Sequence, residues 1–291
     1  METYSINDVE NITGVKAHTL RIWEKRYKTL IPSRTATKIR YYNDEQLRRL
    51  LNIVTLQQHG HKISKIMAYS ELQINELLLE SVEKPGPGDQ NIIFVNNLVS
   101  AMIVFDEPLF DKIFSNIFIR YGVYDAMIKV VYPFLKMTGI LWSTSNVIPA
   151  QEHFASNIIK RKLLAAIDGL PFRTKEDRKY LLFLPPNEWH EIGLLFADYI
   201  LKNNGAETIY LGQNVPYDSL ATAVEKVNPN YAITFFTAGI DIDSHLETLS
   251  SIANENKQLK ILICSAKPNV NSGVLANIIL LDDPVKIFDY V

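Results

Sequence analysis

The sequence predicts a multidomain protein that joins an all-α part to an α/β part. Three observations predict it. Two short amphipathic runs flank Thr13-Gly14 and lead into a basic, β-prone stretch over residues 31–42. Apolar residues then recur at helical spacing between Ile92 and Ile167. From Lys179 onward short apolar runs alternate with amphipathic ones, the pattern of a parallel sheet covered by helices on both faces. The expected pieces, in order, are a winged helix-turn-helix head over 1–75 and a linker over 76–90. A four-helix bundle over 91–172 and a doubly wound parallel, flavodoxin-like sheet domain over 176–291 follow.

A chain of 291 residues has room for two or three domains. Its 47% hydrophobic and 21% charged residues allow ordinary packed cores. The net charge of −2 means that any contact with nucleic acid has to come from a local basic patch. One cysteine, Cys264, excludes an internal disulfide and a thiolate metal cluster. The polar, slightly acidic start from Met1 to Glu10 is unlike a signal peptide. No apolar run approaches the length of about 18 residues that a membrane span needs. The expectation is a cytoplasmic protein without a membrane partner.

In the head, Ser5 is a good N-cap for a helix that places Ile6, Val9 and Ile12 on one face. Thr13-Gly14 ends that helix, and a second one runs over about Lys16–Arg26 with Leu20 and Trp23 inward. Two short helices joined through a glycine turn make a helix-turn-helix. The second helix offers Lys16, His18, Thr19, Arg21 and Arg26, types that reach phosphates and base edges. The stretch Ile31–Tyr42 holds Arg34, Lys38, Arg40 and Tyr41 and no acid, and reads as a hairpin wing along a backbone. Asn43-Asp44-Glu45 caps a third helix, Gln46–Gln58, and a fourth is expected over Ile63–Tyr69. Between Lys16 and Arg49 ten Lys and Arg face three acids, a net +7 inside a chain of −2. A charge cluster usually marks a solvated face, but here it coincides with the turn and the wing, which favours DNA.

Glu71–Glu83 reads helical, and Lys84-Pro85-Gly86-Pro87-Gly88-Asp89 breaks the pattern. Four helical runs follow, the third containing Pro133. Trp142 lies at a helix end, and Glu152-His153 opens the next helix. Read alone, these are a core tryptophan and a capping acid; together they are also an aromatic plate and an acid–imidazole pair at one bundle end.

The sheet is expected from strands at Lys179–Leu184, Glu207–Gly212, Tyr231–Phe236, Lys260–Cys264 and Ala276–Leu281. The first strand leads to Glu188-Trp189-His190-Glu191-Ile192-Gly193. A histidine at the carboxyl end of a strand reaches the crevice where open α/β sheets bind ligands. The acid two residues before it can hold one ring nitrogen. Taken alone, it reads more readily as a surface histidine at a helix start.

Several of these motifs resemble known ones. Thr19-Leu20-Arg21-Ile22-Trp23-Glu24-Lys25-Arg26-Tyr27, with the wing behind it, resembles the head of MerR-type transcriptional regulators, and most of all the branch of carotenoid and light-response repressors (CarA, CarH, LitR). That resemblance implies operator DNA bound by a homodimer or homotetramer, with Thr19, Arg21, Arg26, Tyr27, Arg34, Arg40 and Tyr41 at or near the DNA. Trp142-x9-Glu152-His153 resembles the cap motif of the cobalamin-binding members. Glu188-x-His190-x-x-Gly193 resembles the Asp-x-His-x-x-Gly motif whose histidine is the lower ligand of cobalt. The resemblance thus implies cobalamin, as adenosylcobalamin or methylcobalamin, held by Trp142, Glu152, His153, Glu188, His190, Gly193 and Thr234, with His190 on the metal.

There are departures. Glu188 replaces the aspartate, Thr37-Lys38 stand where the family's wing usually carries Asn-Gly, and Thr234-Phe235-Phe236 stand near the expected Ser-x-Leu. Cys264-Ser265-Ala266 replace the glycines that make room for the nucleotide tail. Ser143 stands where the photoreceptors have a histidine that captures cobalt after photolysis, so the resemblance implies cobalamin, light-sensitive if it is adenosylcobalamin, and leaves the bis-histidine state open. The function implied is a cobalamin-responsive regulator, a repressor by resemblance. The alternative is a regulator of the same architecture that has lost cobalamin and uses its C-terminal half for oligomerisation or another ligand. A corrinoid-dependent enzyme fits less well, because the basic head takes the place of a substrate domain and there is neither a nucleophilic triad spacing nor a Gly-rich phosphate loop.

Overall fold

The computed structural model describes residues 4–27, 31–34, 40–83, 89–143, 148–171, 178–237, 242–265, 277–281 and 284–290. The chain divides into two compact units, 1–158 and 159–291, each taken here by itself.

In the first unit, α1 (Ile6–Thr13) starts from a reciprocal capping box between Ser5 and Asp8 and ends at Gly14, whose φ of 72° is a left-handed cap. Helix α2 spans Ala17–Tyr27 and buries Leu20 and Trp23. The wing is a three-stranded sheet rather than a hairpin. Strands β2 (Ser33–Arg34) and β3 (Arg40–Tyr42) pair antiparallel, and β1 (Tyr4–Ser5) adds to the other edge of β3. The N-terminal residues that read as a polar lead-in therefore close the wing. Buried Tyr4 donates its hydroxyl to Asp44 Oδ1 at 2.6 Å. Helix α3 (Asp44–Gln58) has the expected cap at Asn43, paired with Gln46.

After the short α4 (Ile63–Ile66), α5 (Glu71–Glu83) and α6 (Gln90–Ile103) both pack against α3. This corrects the linker range of 76–90. Residues 76–83 belong to α5, which buries Ile74 and Leu78, and 84–88 lie outside the described residues. Buried Ser100 of α6 donates to Asn52 Oδ1 of α3 at 2.8 Å, so head and bundle share a core.

Helix α7 runs from Glu107 to Ala126 and is broken at Gly122, whose φ of 71° suits glycine alone. A π-helical turn, Met127–Val131, leads into α8 (Tyr132–Ser143), and α9 (Pro149–Asp168) follows. Ile92, expected inside the bundle, is 45% exposed, and its neighbours Ile93 and Phe94 take the core positions.

The second unit is a five-stranded sheet in the order β5-β4-β6-β7-β8, every pair parallel. The strands are β4 (Lys179–Phe183), β5 (Glu207–Gly212), β6 (Tyr231–Phe236), β7 (Lys260–Ser265) and β8 (Ile278–Leu281). Helix α10 (Ile192–Asn203) and the 3-10 segment Pro284–Tyr290 cover one face, closing a core around Leu182, Phe235 and Ile287. Helices α11 (Tyr217–Val227) and α12 (Asp243–Glu255) cover the other, around Leu181, Phe236 and Leu249. The chain leaves β4 toward β5 and returns past it to β6. The order thus reverses between β4 and β6, and a crevice opens there at the carboxyl ends.

Candidate functional site

His190 sits at that reversal, in the loop between β4 and α10. The loop turns at Asn187, whose φ of 67° is one an asparagine tolerates. Asn187 N–H donates to Asn214 Oδ1 at 2.9 Å and Asn214 N–H to the Glu188 carbonyl at 3.3 Å, which ties the loop to the one after β5.

Glu188 is 1% exposed. Its Oε1 accepts from Trp189 N–H at 2.8 Å, from His190 N–H at 2.9 Å and from His190 Nδ1 at 2.7 Å. Its Oε2 accepts from the backbone N–H and the hydroxyl of Thr237, at 3.0 and 2.9 Å. Burial alone would raise this carboxyl, but the donors from His190 and Thr237 outweigh it and hold the group down at about 2. A carboxylate only accepts, so Nδ1 of His190 carries the proton, and in the neutral ring Nε2 has the lone pair. The imidazole remains 59% exposed.

Glu188, one methylene longer than the expected aspartate, therefore still orients the ring. Thr237, which sequence reasoning missed, brings the loop after β6 to the same carboxylate. The hydroxyl expected from Thr234 is instead fully buried within β6, where its oxygen meets no hydrogen-bond partner among the described residues. The signal that could have found Thr237 was its place one residue past the strand.

Gly193 has a packing reason. A Cβ there would lie 2.9 Å from the Phe235 ring, so glycine lets α10 close onto β6. Phe235 and Cys264 lie in the core on the α10 side, whereas Phe236 lies on the opposite face with its ring 5.2 Å from that of His245. On the α10 side it is Phe235 that packs against Gly193. Among the described residues no three His, Cys, Asp or Glu side chains cluster as a metal site.

In the first unit, Glu152 and His153 stand on the opening turn of α9, with His153 Nδ1 3.0 Å from Glu152 Oε2 and the imidazole 71% exposed. Trp142 and Ser143 end α8; their side chains lie outside the described residues.

On α2, His18, Arg21, Lys25 and Arg26 are exposed along one stripe. Ile22 lies among them, 56% exposed, an apolar group in a basic stripe that charge counting missed. Thr19 and Tyr27 are half-buried, and the Arg26 guanidinium stands 5.5 Å over the Tyr27 ring. Lys16 pairs with Glu10 at 2.9 Å, and Glu10 also accepts from Ala17 N–H at 2.8 Å, capping α2. Arg40 Nε pairs with Glu24 Oε2 at 3.0 Å, and Tyr42 donates its hydroxyl to Glu24 Oε1. That pair fixes the wing to α2, while Tyr41 is half-buried beside it. Lys38 and the side chain of Arg34 lie outside the described residues, as do Thr37 and Ala266. Among the described residues no helix is long and apolar enough to cross a membrane.

Residues 4–72 match the family "MerR HTH family regulatory protein", and residues 95–166 match "B12 binding domain". The HTH-type transcriptional repressor CarH of Myxococcus xanthus is 26% identical over 253 residues, 86% of this chain and 84% of that one. The HTH-type transcriptional repressor CarA of the same organism is 25% identical over 239 residues, 81% of this chain and 77% of its own. In fold, the chain is similar to the monomethylamine corrinoid protein of Methanosarcina barkeri, with a TM-score of 0.56 at 15% identity, covering 69% of this chain and 97% of that one.

Proposed function

We propose that this chain, in which a MerR-type head precedes a B12 binding domain, is a DNA-binding transcriptional regulator that responds to cobalamin. The observation that carries the reading is His190, an exposed imidazole at the crevice of a parallel sheet with its Nδ1 gripped by buried Glu188. His190, its ring oriented by Glu188, would hold the cobalt of a bound cobalamin through Nε2. The same reading takes Glu152, His153 and Trp142 of the first unit as cofactor-binding residues by the resemblance of their spacing to the cap motif. When bound, the cobalamin supplies a cobalt centre and an exchangeable upper group; the protein orients it and reads its presence.

On the head, the α2 stripe enters the groove, and the wing residues Arg34, Lys38, Arg40 and Tyr41 follow the backbone. The form that binds DNA is a homodimer or larger, acts as a repressor and works in the cytoplasm. Ligand occupancy changes operator affinity because cobalamin favours one assembly over another. Enzymatic turnover is not part of this reading, since the basic head stands where a substrate domain would be.

The test uses two variants of the full chain. His190→Ala loses its absorbance with adenosylcobalamin after desalting, and still binds duplexes selected from a random pool. Arg21→Ala does the reverse. Cobalamin retained with an unchanged spectrum by His190→Ala would remove His190 as the ligand.

A further inference from the structure

Where α3 of the head meets the bundle, the first unit holds a cavity of about 320 Å3. Its walls come from stretches far apart in sequence. Helix α3 supplies Arg48 and Asn52, which lie one turn apart on one helix face. Helix α6 supplies Ser100, and α5 supplies the buried Leu78. Asp106, in the turn before α7, and Leu109 and Lys112, on its first turns, complete the lining. None of these residues belongs to the basic stripe of α2, to the wing or to the cobalamin reading.

The polar groups of the lining are mostly donors. Asn52 is 2% exposed, and its Oδ1 accepts from the Ser100 hydroxyl at 2.8 Å. What Asn52 offers the cavity is therefore its NH2, a donor. Asp106 Oδ1 accepts from Leu109 N–H at 3.0 Å and so caps α7. Half-buried Arg48 and exposed Lys112 set two positive charges against the one negative charge of Asp106, a formal net of +1. Leu78 and Leu109 add apolar wall. A single carboxylate balances that charge, and its two oxygens match the planar fork of an arginine. Cavities of about 300–1,000 Å3 at junctions between packed parts are common places for small ligands.

We propose that this cavity binds a small organic acid, its carboxylate on Arg48, Lys112 and the Asn52 amide and its apolar body against Leu78 and Leu109. The bound acid joins α3 of the head to α7 of the bundle. The site is thus a second entry point for a small molecule, and it needs neither cobalamin nor His190.

The experiment uses the full chain without cobalamin, titrated with trans-cinnamate and followed by ligand-observed NMR. Saturable binding is expected with a Kd of about 0.1–1 mM, ordinary for a ligand of this size. Cinnamamide, the same shape without the charge, is expected to bind about ten-fold more weakly. Arg48→Gln is expected to weaken cinnamate about ten-fold, and Lys112→Gln about three-fold with an unchanged melting temperature. Should Arg48→Gln fail to fold, Lys112→Gln carries the test, because its side chain is exposed. Equal binding of the amide removes recognition of the charge and overturns the proposal. Unchanged cinnamate affinity in the variants that fold moves the probe elsewhere on the chain and overturns it too. Tighter binding of phenyl phosphate than of cinnamate makes this a phosphate site instead of a carboxylate one. No saturable binding below about 20 mM sinks the site altogether.

Discussion

A hydrogen bond across two residues decides which nitrogen of His190 carries the proton. Glu188 is sealed by five donors from Trp189, His190 and Thr237, so its charge and place are settled before any ligand arrives. Removing the charge while keeping the shape isolates that effect. Glu188→Gln is expected to weaken cobalamin retention about 10- to 100-fold, as loss of such a supporting carboxylate does at metal sites. Titration with adenosylcobalamin checks this, and unchanged affinity would mean that the ring is oriented by something else. Gly193 belongs to a different class of residue. The added methyl of Gly193→Ala meets the Phe235 ring inside a packed core, and the expected loss is about 1–3 kcal/mol of stability. Denaturant melting of the unliganded chain reads it. A variant as stable as the wild type would show that Phe235 has room to move.

Among the elements, the wing and α2 act as one piece because Glu24 reaches both Arg40 and Tyr42. Burial first, and then Glu24, push the Tyr42 phenol above its ordinary range, so it stays a donor at any working pH. Glu24→Gln is expected to cost about 1–3 kcal/mol, a partly buried charge-assisted pair, and to weaken duplex binding by releasing Arg40. Melting and fluorescence anisotropy on one DNA duplex check both effects. Intact affinity would detach the wing from α2.

The end of α3 gives a pH dependence. Burial first, and then the neighbouring His61, hold the His59 imidazole below its ordinary range, with Glu80 opposing both. The folded state favours the neutral ring, so its contribution is present above pH about 6.5 and is lost as the pH falls below that value. Stability measured across this range should decline toward acid, and decline less in His59→Gln. Parallel curves would assign the acid response to other groups.

At the level of the molecule, the first unit is a head and a bundle folded together. Helix α3 belongs to the helix-turn-helix by its cap and to the bundle by its packing, and the Asn52–Ser100 hydrogen bond lies in the shared core. Asn52→Ala leaves the Ser100 hydroxyl without that acceptor, and is expected to cost about 1–3 kcal/mol. Residues 1–83 alone should melt below the same residues in the full chain, because the α6-facing side of α3 is then bare. An isolated head as stable as the whole would contradict the shared core.

The elements themselves were legible in the chain, because local chemistry sets them. Asn43 with Gln46 starts a helix wherever it stands, Gly14 ends one, and apolar runs alternating with amphipathic ones can only bury both kinds of face as a covered parallel sheet. Glu188 and His190 were legible for the same reason, since a bond across two residues needs no long-range fold. What required the folded chain was every pairing across distance. Tyr4 closing the wing, Thr237 on the Glu188 carboxylate, Phe235 rather than Phe236 against Gly193, and α3 shared between head and bundle each join residues far apart in sequence. Such contacts depend on strand register and helix packing, which periodicity leaves open. A one-residue step along β6 exchanges the two faces of the sheet, and only the packed structure chooses between them.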